Sequence, residues 1–320
     1  MDLRQLAAIV AVAEAGSFSA AARHLHTVQS NVSTHLARLE RELGTTLVDR
    51  TTGSLTDEGE VVVDRARRVQ HELESLRADV DSMLHDVSGE VRLGCIGTVS
   101  RWLVPNLLRS MASRHPLVRV VVVDATTTSL VPQVVNKSLD LAVVNLPLAD
   151  AELATEPLFD EDRVLVVPHG HPLADCEHVG LRELANHELL LEPRGTPFRD
   201  ELDQQAAAAG VAMRAQAEID GIGLLASLAF ERYGAAVLPA TAAPDRIEMS
   251  CHRLRVDGLA PRSVGLAVPR RGRLSAPARA VRATIGELVG RAALDGVHPS
   301  ERDRAGVPDP RGTDIPSTRV

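Results

Sequence analysis

Residues 62 to 87 carry an apolar seam with the spacing of a heptad repeat. Its members lie alternately four and three residues apart and are Val62, Ala66, Val69, Leu73, Leu76, Val80, Met83 and Val87. A buried surface helix shows part of such a pattern, but not so regularly over about four heptads. The seam therefore predicts a linker helix over residues 59–88 that dimerises. The contacts expected in the dimer are those of Val62, Val69, Leu73, Leu76, Val80 and Met83.

Three short helical segments precede the seam, over residues 3–15, 20–26 and 29–43. Ser19 is a residue type favoured at the N-cap of the second segment, and Gly44 is the type that ends a helix such as the third. Three short helices with a tight turn before the third are typical of a helix-turn-helix unit.

The third segment, Gln29 to Leu43, is amphipathic. Its apolar stripe is expected to face a core and consists of Val32, Leu36, Leu39 and Leu43. Ser30, Thr34 and Arg41 point the other way, with Ser33 and Arg38 on the flanks. Short polar side chains near a helix start suit contact with phosphates and base edges, although an ordinary solvated face has the same composition.

Two further features bear on DNA binding. Residues 45–56 alternate in polarity and contain a Gly-Ser turn, which predicts a small hairpin and makes the unit winged. The net charge of the chain is −8, which argues against binding nucleic acid by charge alone. DNA contacts must therefore come from the local placement of side chains.

After residue 88 the sequence alternates between β-branched runs and helical segments. Strands are predicted at 91–97, 118–125 and 139–146, with helices between them, and this order indicates an α/β fold of doubly wound parallel sheets. A second lobe begins at about residue 162. The expected domains are 1–58, the linker 59–88, lobe I with 89–161 and 266–292, lobe II with 162–265, and a disordered tail 293–320.

Other chemistry is not indicated. The sequence lacks the nucleophile-elbow, phosphate-loop, dinucleotide and zinc-protease motifs, so no enzyme, cofactor or metal is expected. The loop histidines His169 and His171 lack partners at metal-ligand spacing. The cysteines Cys95, Cys176 and Cys251 are far apart, and the expectation is that they are reduced and structural. A cytoplasmic protein without contact to a membrane is expected, because no apolar run approaches about 20 residues.

The run AxxGSFSAAARxLHTVQSNVSxHLxRLExELGxxLxxR…LTxxG in the first sixty or so residues resembles the LysR-type transcriptional regulators, and weaker likeness extends to about residue 292. The resemblance implies an N-terminal helical winged helix-turn-helix, a linker helix, and a two-lobed effector domain like that of periplasmic solute-binding proteins. It also implies binding to double-stranded promoter DNA, a homodimer or homotetramer, and contact with RNA polymerase. A ligand that closes the lobes would then shift the arrangement of the DNA-binding heads.

Matching positions imply particular site residues. The DNA-binding positions are Gln29, Ser30, Asn31, Ser33, Thr34 and Arg38, with Arg50 and Thr51 near the wing. Ser17 and Ser19 are better explained as helix caps. The sequence departs from the family pattern at Thr34, where many members have arginine, and at Gly53-Ser54, which lacks the usual base at the wing tip. These departures weaken the expected phosphate contacts.

The resemblance also places an effector site between the lobes. Its positions are Thr98, Val99, Ser100, Asn145, Thr196, Ile219, Asp220 and Gly221. A small organic acid is the default ligand, because helix N-termini and hydroxyl groups bind carboxylates. Asp220 favours an amine or a hydroxyl group instead, and helix capping explains each hydroxyl residue equally well.

Two functions of different classes remain open. The first is a ligand-responsive DNA-binding transcriptional regulator. The second is a small-molecule binding protein or enzyme that carries an incidental N-terminal helical dimerisation module. Specific binding to duplex DNA separates them.

Overall fold

The computed structural model describes residues 1–50, 52–243, 251–292, 294 and 296–300. They form two compact units. The first is Met1–Glu90 with Leu117–Arg119 and Ser275–Pro277, and the second is the remainder.

Within the described residues the first unit contains four helices, and glycines or polar side chains mark several of their ends. The helices are α1 (Leu3–Ala15), α2 (Phe18–His24), α3 (Gln29–Leu43) and α4 (Asp57–Leu84). Gly16 and Gly44 end α1 and α3 in the left-handed conformation, with φ of 66° and 74°. The Thr56 side chain accepts a hydrogen bond from the Gly59 amide and so caps α4.

Two details of the helix-turn-helix differ from expectation. Ser17 rather than Ser19 is the N-cap of α2, because its side chain accepts the Ala20 amide. Val32, Leu36 and Leu39 of α3 are buried, whereas Leu43 is 43% exposed. Leu43 is the last helical residue, and it lies outside the core that α1 and α2 form with α3.

The wing is a minimal hairpin. Val48 and Leu55 form an antiparallel bridge, and the Asp49 amide donates to the Ser54 carbonyl oxygen at 2.8 Å. Leu47 and Val48 are buried in the same core as the three short helices. The wing is therefore held by packing at its base.

Helix α4 exposes much of its apolar seam. Val69, Leu76, Val80 and Met83 are 39%, 62%, 53% and 84% exposed, while Val62 and Leu73 are half-buried. Val87, the last member of the predicted seam, lies beyond the end of the helix at Leu84.

The second unit has two lobes, each built on a six-stranded sheet. The order is β12-β4-β11-β3-β1-β2 in lobe I and β6-β10-β5-β9-β7-β8 in lobe II. The strands are β1 (Gly89–Cys95), β2 (Val118–Asp124), β3 (Leu141–Leu146), β4 (Leu153–Glu161), β5 (Arg163–Pro168), β6 (His178–Gly180), β7 (Glu188–Leu191), β8 (Arg214–Glu218), β9 (Ala235–Pro239), β10 (Cys251–Asp257), β11 (Arg262–Pro269) and β12 (Val297–Pro299).

Helices connect these strands, so the two-lobed α/β architecture predicted from the sequence is confirmed. They are α5 (Gly97–Arg114), α6 (Thr127–Val135), α7 (Leu181–Leu184), α8 (Pro197–Ala208), α9 (Ile222–Phe230) and α10 (Ala276–Gly290). The sheets are mixed rather than wholly parallel: β1 and β3 are parallel, whereas β11 is antiparallel to both β3 and β4.

Where the chain passes from lobe II back to lobe I, the boundary lies a few residues earlier than predicted. Residues 262–265 were expected in lobe II, but β11 starts at Arg262 and pairs with β3 and β4 of lobe I along its length. The chain crosses between the sheets at Asp162, between β4 and β5, and again between β10 and β11.

The predicted disordered tail contains a short strand. Val297–Pro299 pair with residues 159–161 of β4, because this edge of the sheet offers free backbone groups. Residues 293, 295 and 301–320 of that predicted tail lie outside the described residues.

Among the described residues, no single helix has the length and apolar character needed to cross a membrane. Helices α1 and α2 reach that composition only as a pair, and they are bent by 116°.

Candidate DNA interface and effector cleft

The N-terminal turn of α3 is open to solvent. Its N-cap, Val28, is 60% exposed and supplies no side-chain cap hydrogen bond. Backbone N–H groups of a first turn have no partner within the helix, and the helix dipole adds partial positive charge there. This end of α3 is therefore suited to an anionic group such as a phosphate.

Polar side chains surround this turn. Gln29, Ser30, Asn31 and Thr34 are exposed, and Ser33 is half-buried. Local hydrogen bonds orient three of them. Ser19 Oγ donates to Gln29 Oε1 at 2.8 Å, Asn31 Nδ2 donates to Thr27 Oγ1 at 2.9 Å, and Thr34 Oγ1 donates to the Ser30 carbonyl oxygen at 2.7 Å.

Basic side chains lie farther along α3 and at the wing. Arg38 is exposed. Arg50 Nη2 lies 3.2 Å from Glu40 Oε2, and Glu40 Oε1 accepts the Leu47 amide at 2.9 Å. The carboxylate of Glu40 therefore ties Arg50 to the base of the wing. Thr51 lies outside the described residues.

In lobe I, the predicted effector positions cluster where β1 and β3 end. Thr98 and Val99 lie in the first turn of α5, and both are buried. Thr98 Oγ1 accepts a hydrogen bond from Arg262. Ser100 Oγ donates to the Gly97 carbonyl oxygen at 3.0 Å. Val99 is fully buried, so its side chain belongs to the core.

Asn145 lies near the end of β3, beside the start of α6. Its amide N–H donates to Thr127 Oγ1 at 3.0 Å, and its Oδ1 atom is buried with no hydrogen-bond partner within the described residues. Thr126 caps α6. Sequence reasoning missed these threonines, although the run Thr126 to Thr128 directly follows a predicted strand.

In lobe II, the predicted positions follow β7 and β8. Thr196 is the N-cap residue of α8, and its Oγ1 donates to the Pro193 carbonyl oxygen at 2.9 Å. Ile219 is tied to β7 by an amide bond of 2.8 Å to the Leu191 carbonyl oxygen. Asp220 and Gly221 are exposed, and Gly221 precedes α9 with φ of 105°.

Glu192, which follows β7, was not predicted. Burial raises the pKa of its carboxyl group, while a hydrogen bond from Thr196 opposes that shift and the nearby charge of Asp220 adds to it. Lobe II therefore brings two carboxyl groups close to Thr196 and Gly221. The position of Glu192 relative to Asp220 depends on the pairing of β7 with β8, which residue spacing in the sequence does not give.

A buried ionic network lies at the crossings between the lobes. Arg262 Nε lies 2.6 Å from Glu161 Oε1, and Glu161 Oε2 accepts the Thr241 amide at 2.9 Å and its hydroxyl group at 2.7 Å. Glu161 is 0% exposed and Arg262 is 9% exposed. Because Arg262 also donates to Thr98 in α5, and Thr241 follows β9, the network joins residues of both lobes.

Metal and thiol chemistry have little support. Within the described ranges, no group of three or more His, Cys, Asp or Glu residues is placed to hold a metal ion. Cys95, Cys176 and Cys251 are free thiols. Burial raises the pKa of Cys95 to about 12 and also raises that of Cys251.

Comparison with protein families decides the identity of these domains. Residues 3–60 match the bacterial regulatory helix-turn-helix protein, lysR family, and residues 85–290 match the LysR substrate binding domain. The chain belongs to the LysR family. It is a LysR-type DNA-binding transcriptional regulator with an effector-binding domain, as predicted, and nothing favours the alternative of a binding protein or enzyme with an incidental helical module. Members of this family are regulators rather than enzymes.

The LysR-type chain is similar to regulators of known name. It is 33% identical over 291 residues to a probable hydrogen peroxide-inducible genes activator of Mycobacterium leprae. The alignment covers 89% of this chain and 93% of that protein. It is 30% identical over 246 residues to the DNA-binding transcriptional dual regulator OxyR of Escherichia coli, covering 76% and 81%.

A solved structure supports the fold. Full-length CbnR in complex with its target DNA superposes with a TM-score of 0.70 at 24% identity, covering 92% of this chain and 100% of CbnR.

Proposed function

We propose that this LysR-type regulator binds promoter DNA through the exposed first turns of α3. The residues proposed to contact DNA are Gln29, Ser30, Asn31, Ser33, Thr34 and Arg38 on the helix, with Arg50 at the wing and Thr51 next to it in the sequence. The observation that carries the proposal is the uncapped, solvent-exposed N-terminus of α3. Its polar side chains lie opposite a stripe that is buried in the helical core.

Gln29 is the side chain that we expect to contribute most to base recognition. Glutamine pairs with adenine through one acceptor and one donor, and each good bidentate contact discriminates by about 1–3 kcal/mol. The hydrogen bond from Ser19 to Gln29 Oε1 restrains this side chain before DNA binds. Arg38 is expected to contact phosphate, which strengthens binding without adding sequence preference.

The test is binding of the purified protein to its own upstream DNA, at a stated salt concentration, followed by footprinting. Gln29→Ala should weaken binding to the protected site about 5- to 100-fold and leave binding to unrelated duplex unchanged. Arg38→Ala should weaken both and reduce the salt dependence. Arg41→Ala is the matched control, since Arg41 is exposed in the last turn of the same helix. Equal losses for Arg38 and Arg41 would contradict the assignment.

We also propose that α4 forms a homodimer, from which a tetramer is built. Exposed Val69, Leu76, Val80 and Met83 support this, because a monomer would leave the seam in water. Leu76→Asp should yield monomers in sedimentation. Arg77→Asp places the same carboxylate at the next residue, off the seam, with a larger change of net charge, and should leave the oligomer intact. Intact oligomers in Leu76→Asp would overturn the α4 interface.

The effector is proposed to act by binding in the cleft rather than by oxidising a cysteine. Relatives are named for induction by hydrogen peroxide, and oxidation of a reactive thiol is one way in which a protein senses peroxide. A disulfide needs Cα atoms within about 7 Å. Cys95 is in the lobe I sheet and Cys251 is in the lobe II sheet. The Arg255 amide donates to the carbonyl oxygen of Glu177, the residue after Cys176. Cys251 lies on the same strand as Arg255, about 13 Å away along β10, so it is also about that far from the segment that contains Cys176.

The thiols also react poorly where burial raises their pKa, since the thiolate is the nucleophile. Hydrogen peroxide should therefore leave the DNA footprint unchanged, both in the wild type and in a variant with all three cysteines replaced by serine. A peroxide-dependent footprint that disappears in that variant would establish a thiol switch instead. Contact with RNA polymerase is proposed as the final step, tested by transcription from the protected promoter.

A further inference from the structure

Thr34 is an exposed residue of α3 whose hydroxyl proton is already used within the helix. Its Oγ1 atom donates to the Ser30 carbonyl oxygen, one turn earlier, at 2.7 Å. A hydroxyl group has one proton and two lone pairs. Thr34 therefore offers an outside partner its lone pairs and its methyl group, but no donor.

Asn31, three residues before Thr34, is held in a similar way. Its Nδ2 atom donates to Thr27 Oγ1 at 2.9 Å, which uses one amide proton and leaves the carbonyl oxygen Oδ1 outside that bond. Residues three apart are neighbours on a helix surface, with about 5–6 Å between their Cβ atoms. Two neighbouring exposed residues of α3 thus carry hydrogen-bond acceptors.

Gln29 has the opposite polarity. Its Oε1 atom accepts a hydrogen bond from Ser19 Oγ at 2.8 Å, and the two protons of its Nε2 group lie on the other side of the amide. The backbone N–H groups of the first turn and the guanidinium of exposed Arg38 are also donors. Internal hydrogen bonds therefore sort the exposed start of α3 into donors and acceptors.

DNA distinguishes these two kinds of group. Phosphate oxygens accept hydrogen bonds, and so do N7 of the purines, O6 of guanine and O4 of thymine in the major groove. The donors in that groove are the amino groups at N6 of adenine and N4 of cytosine. With its proton on the Ser30 carbonyl oxygen, Thr34 has a hydrogen-bonding partner among the amino groups and none among the phosphates.

We propose that Thr34 is a specificity-determining residue that accepts a hydrogen bond from the amino group of an adenine or a cytosine in the major groove. The inference rests on the proposed function, in which the start of α3 binds promoter DNA. It deepens that function by naming the base group that Thr34 recognises. Phosphate contacts are left to groups with free protons, such as those of Arg38 and Gln29.

The experiment measures the Kd of the purified full-length protein for its footprinted upstream site after single amino groups are removed from the major groove. Each adenine is replaced in turn by 2-aminopurine and each cytosine by 2-pyrimidinone, which lack that amino group. Removal at the position facing Thr34 should weaken binding by the wild type about 3- to 10-fold, the effect of one net hydrogen bond.

Thr34→Val keeps the shape of the side chain and replaces its hydroxyl group with a methyl group. Its binding to the unmodified site should be weaker by the same factor, and removal of the amino group at that one position should weaken it no further. Thr34→Ser keeps the hydroxyl group and should respond to the removal as the wild type does.

Thr155→Val is the matched control, because it makes the same change at an exposed threonine of β4 in lobe I. It should respond to every base replacement as the wild type does. Circular dichroism checks that all variants keep their helices.

Two results would overturn the role of Thr34. A phosphate contact would make Thr34→Val lose affinity equally for the protected site and for unrelated duplex. If every base replacement has the same effect in the wild type and in Thr34→Val, no amino group depends on the hydroxyl. A wild type that does not distinguish its upstream DNA from unrelated duplex would refute the proposed function as well, whereas the first two results leave that function standing.

Discussion

The DNA-binding head and the effector cleft are built in opposite ways. All proposed DNA contacts come from residues 29–51, on one helix and the wing that follows it. The proposed effector site and the ionic network beside it draw Thr98, Glu161, Glu192 and Arg262 from positions spread over two lobes. The head places polar groups on the surface of a packed helix, whereas the cleft buries charge. A local pattern can specify the first arrangement, but the second depends on how distant strands pair.

The two regions also differ in what a single substitution does. Water can satisfy an exposed side chain of α3 when its neighbour is removed, so recognition changes and the fold does not. In the cleft, removal of one partner leaves another charge buried without compensation. The comparison therefore predicts large losses of stability at the ionic network and losses of affinity alone at the outer face of the head.

The largest effect is expected for Glu161→Ala. It leaves Arg262 buried without its carboxylate and removes the acceptor of Thr241, so unfolding free energy should fall by about 3–5 kcal/mol. Urea unfolding followed by the fluorescence of Trp102, the sole tryptophan, reports on lobe I.

The control for Glu161→Ala is Glu156→Ala on the same strand. Glu156 pairs with Arg282 at 2.6 Å, but these side chains are 38% and 47% exposed, so the loss should stay below about 1 kcal/mol. Equal losses at the two positions would show that burial of the Glu161 network is not what distinguishes the cleft.

Leu36→Ala tests the packing of the head. Leu36 is fully buried, so the substitution should cost about 2–4 kcal/mol. Circular dichroism should show early loss of helix at fixed protein concentration, while Trp102 fluorescence keeps its midpoint. Leu43→Ala, at the 43% exposed end of the same helix, should cost less than about 1 kcal/mol. A matching shift of the Trp102 transition would show instead that the head and the effector domain unfold as one cooperative unit.

The smallest effect is a pH dependence at Glu192. Burial raises the pKa of its carboxyl group in the folded state above the ordinary 4.5. Below that value both states are protonated. As pH rises, the unfolded chain ionises first, so this contribution to stability is lost progressively up to the folded pKa.

The wild type should therefore lose stability relative to Glu192→Gln as pH rises above about 4.5. The comparison is made by urea unfolding across pH, and Glu183→Gln, the same substitution at an exposed position, serves as the matched control. A difference between wild type and Glu192→Gln that grows with pH in favour of the wild type would reverse the sign of this prediction.

Much of the architecture follows from local pattern. The heptad spacing predicted α4, the stripe of Val32, Leu36 and Leu39 predicted the buried face of α3, and Gly44 predicted its end. Prediction failed at the ends of helices and where two neighbouring residues of the same type could fill one role. Ser17 rather than Ser19 caps α2, because both hydroxyls are equally good caps and only packing selects one. Which residues contact DNA or effector stays a prediction.

The sequence by itself determined a helical head with an outward polar face, an exposed apolar seam, and alternating strands and helices of a two-lobed domain. These features repeat with the period of a helix or the order of strands, so they can be read locally. Only the tertiary structure decided that Glu161, Thr241 and Arg262 form one buried network. The physical reason is that burial and pairing of charge depend on strands distant in sequence, and no spacing of residues records which strand lies beside which.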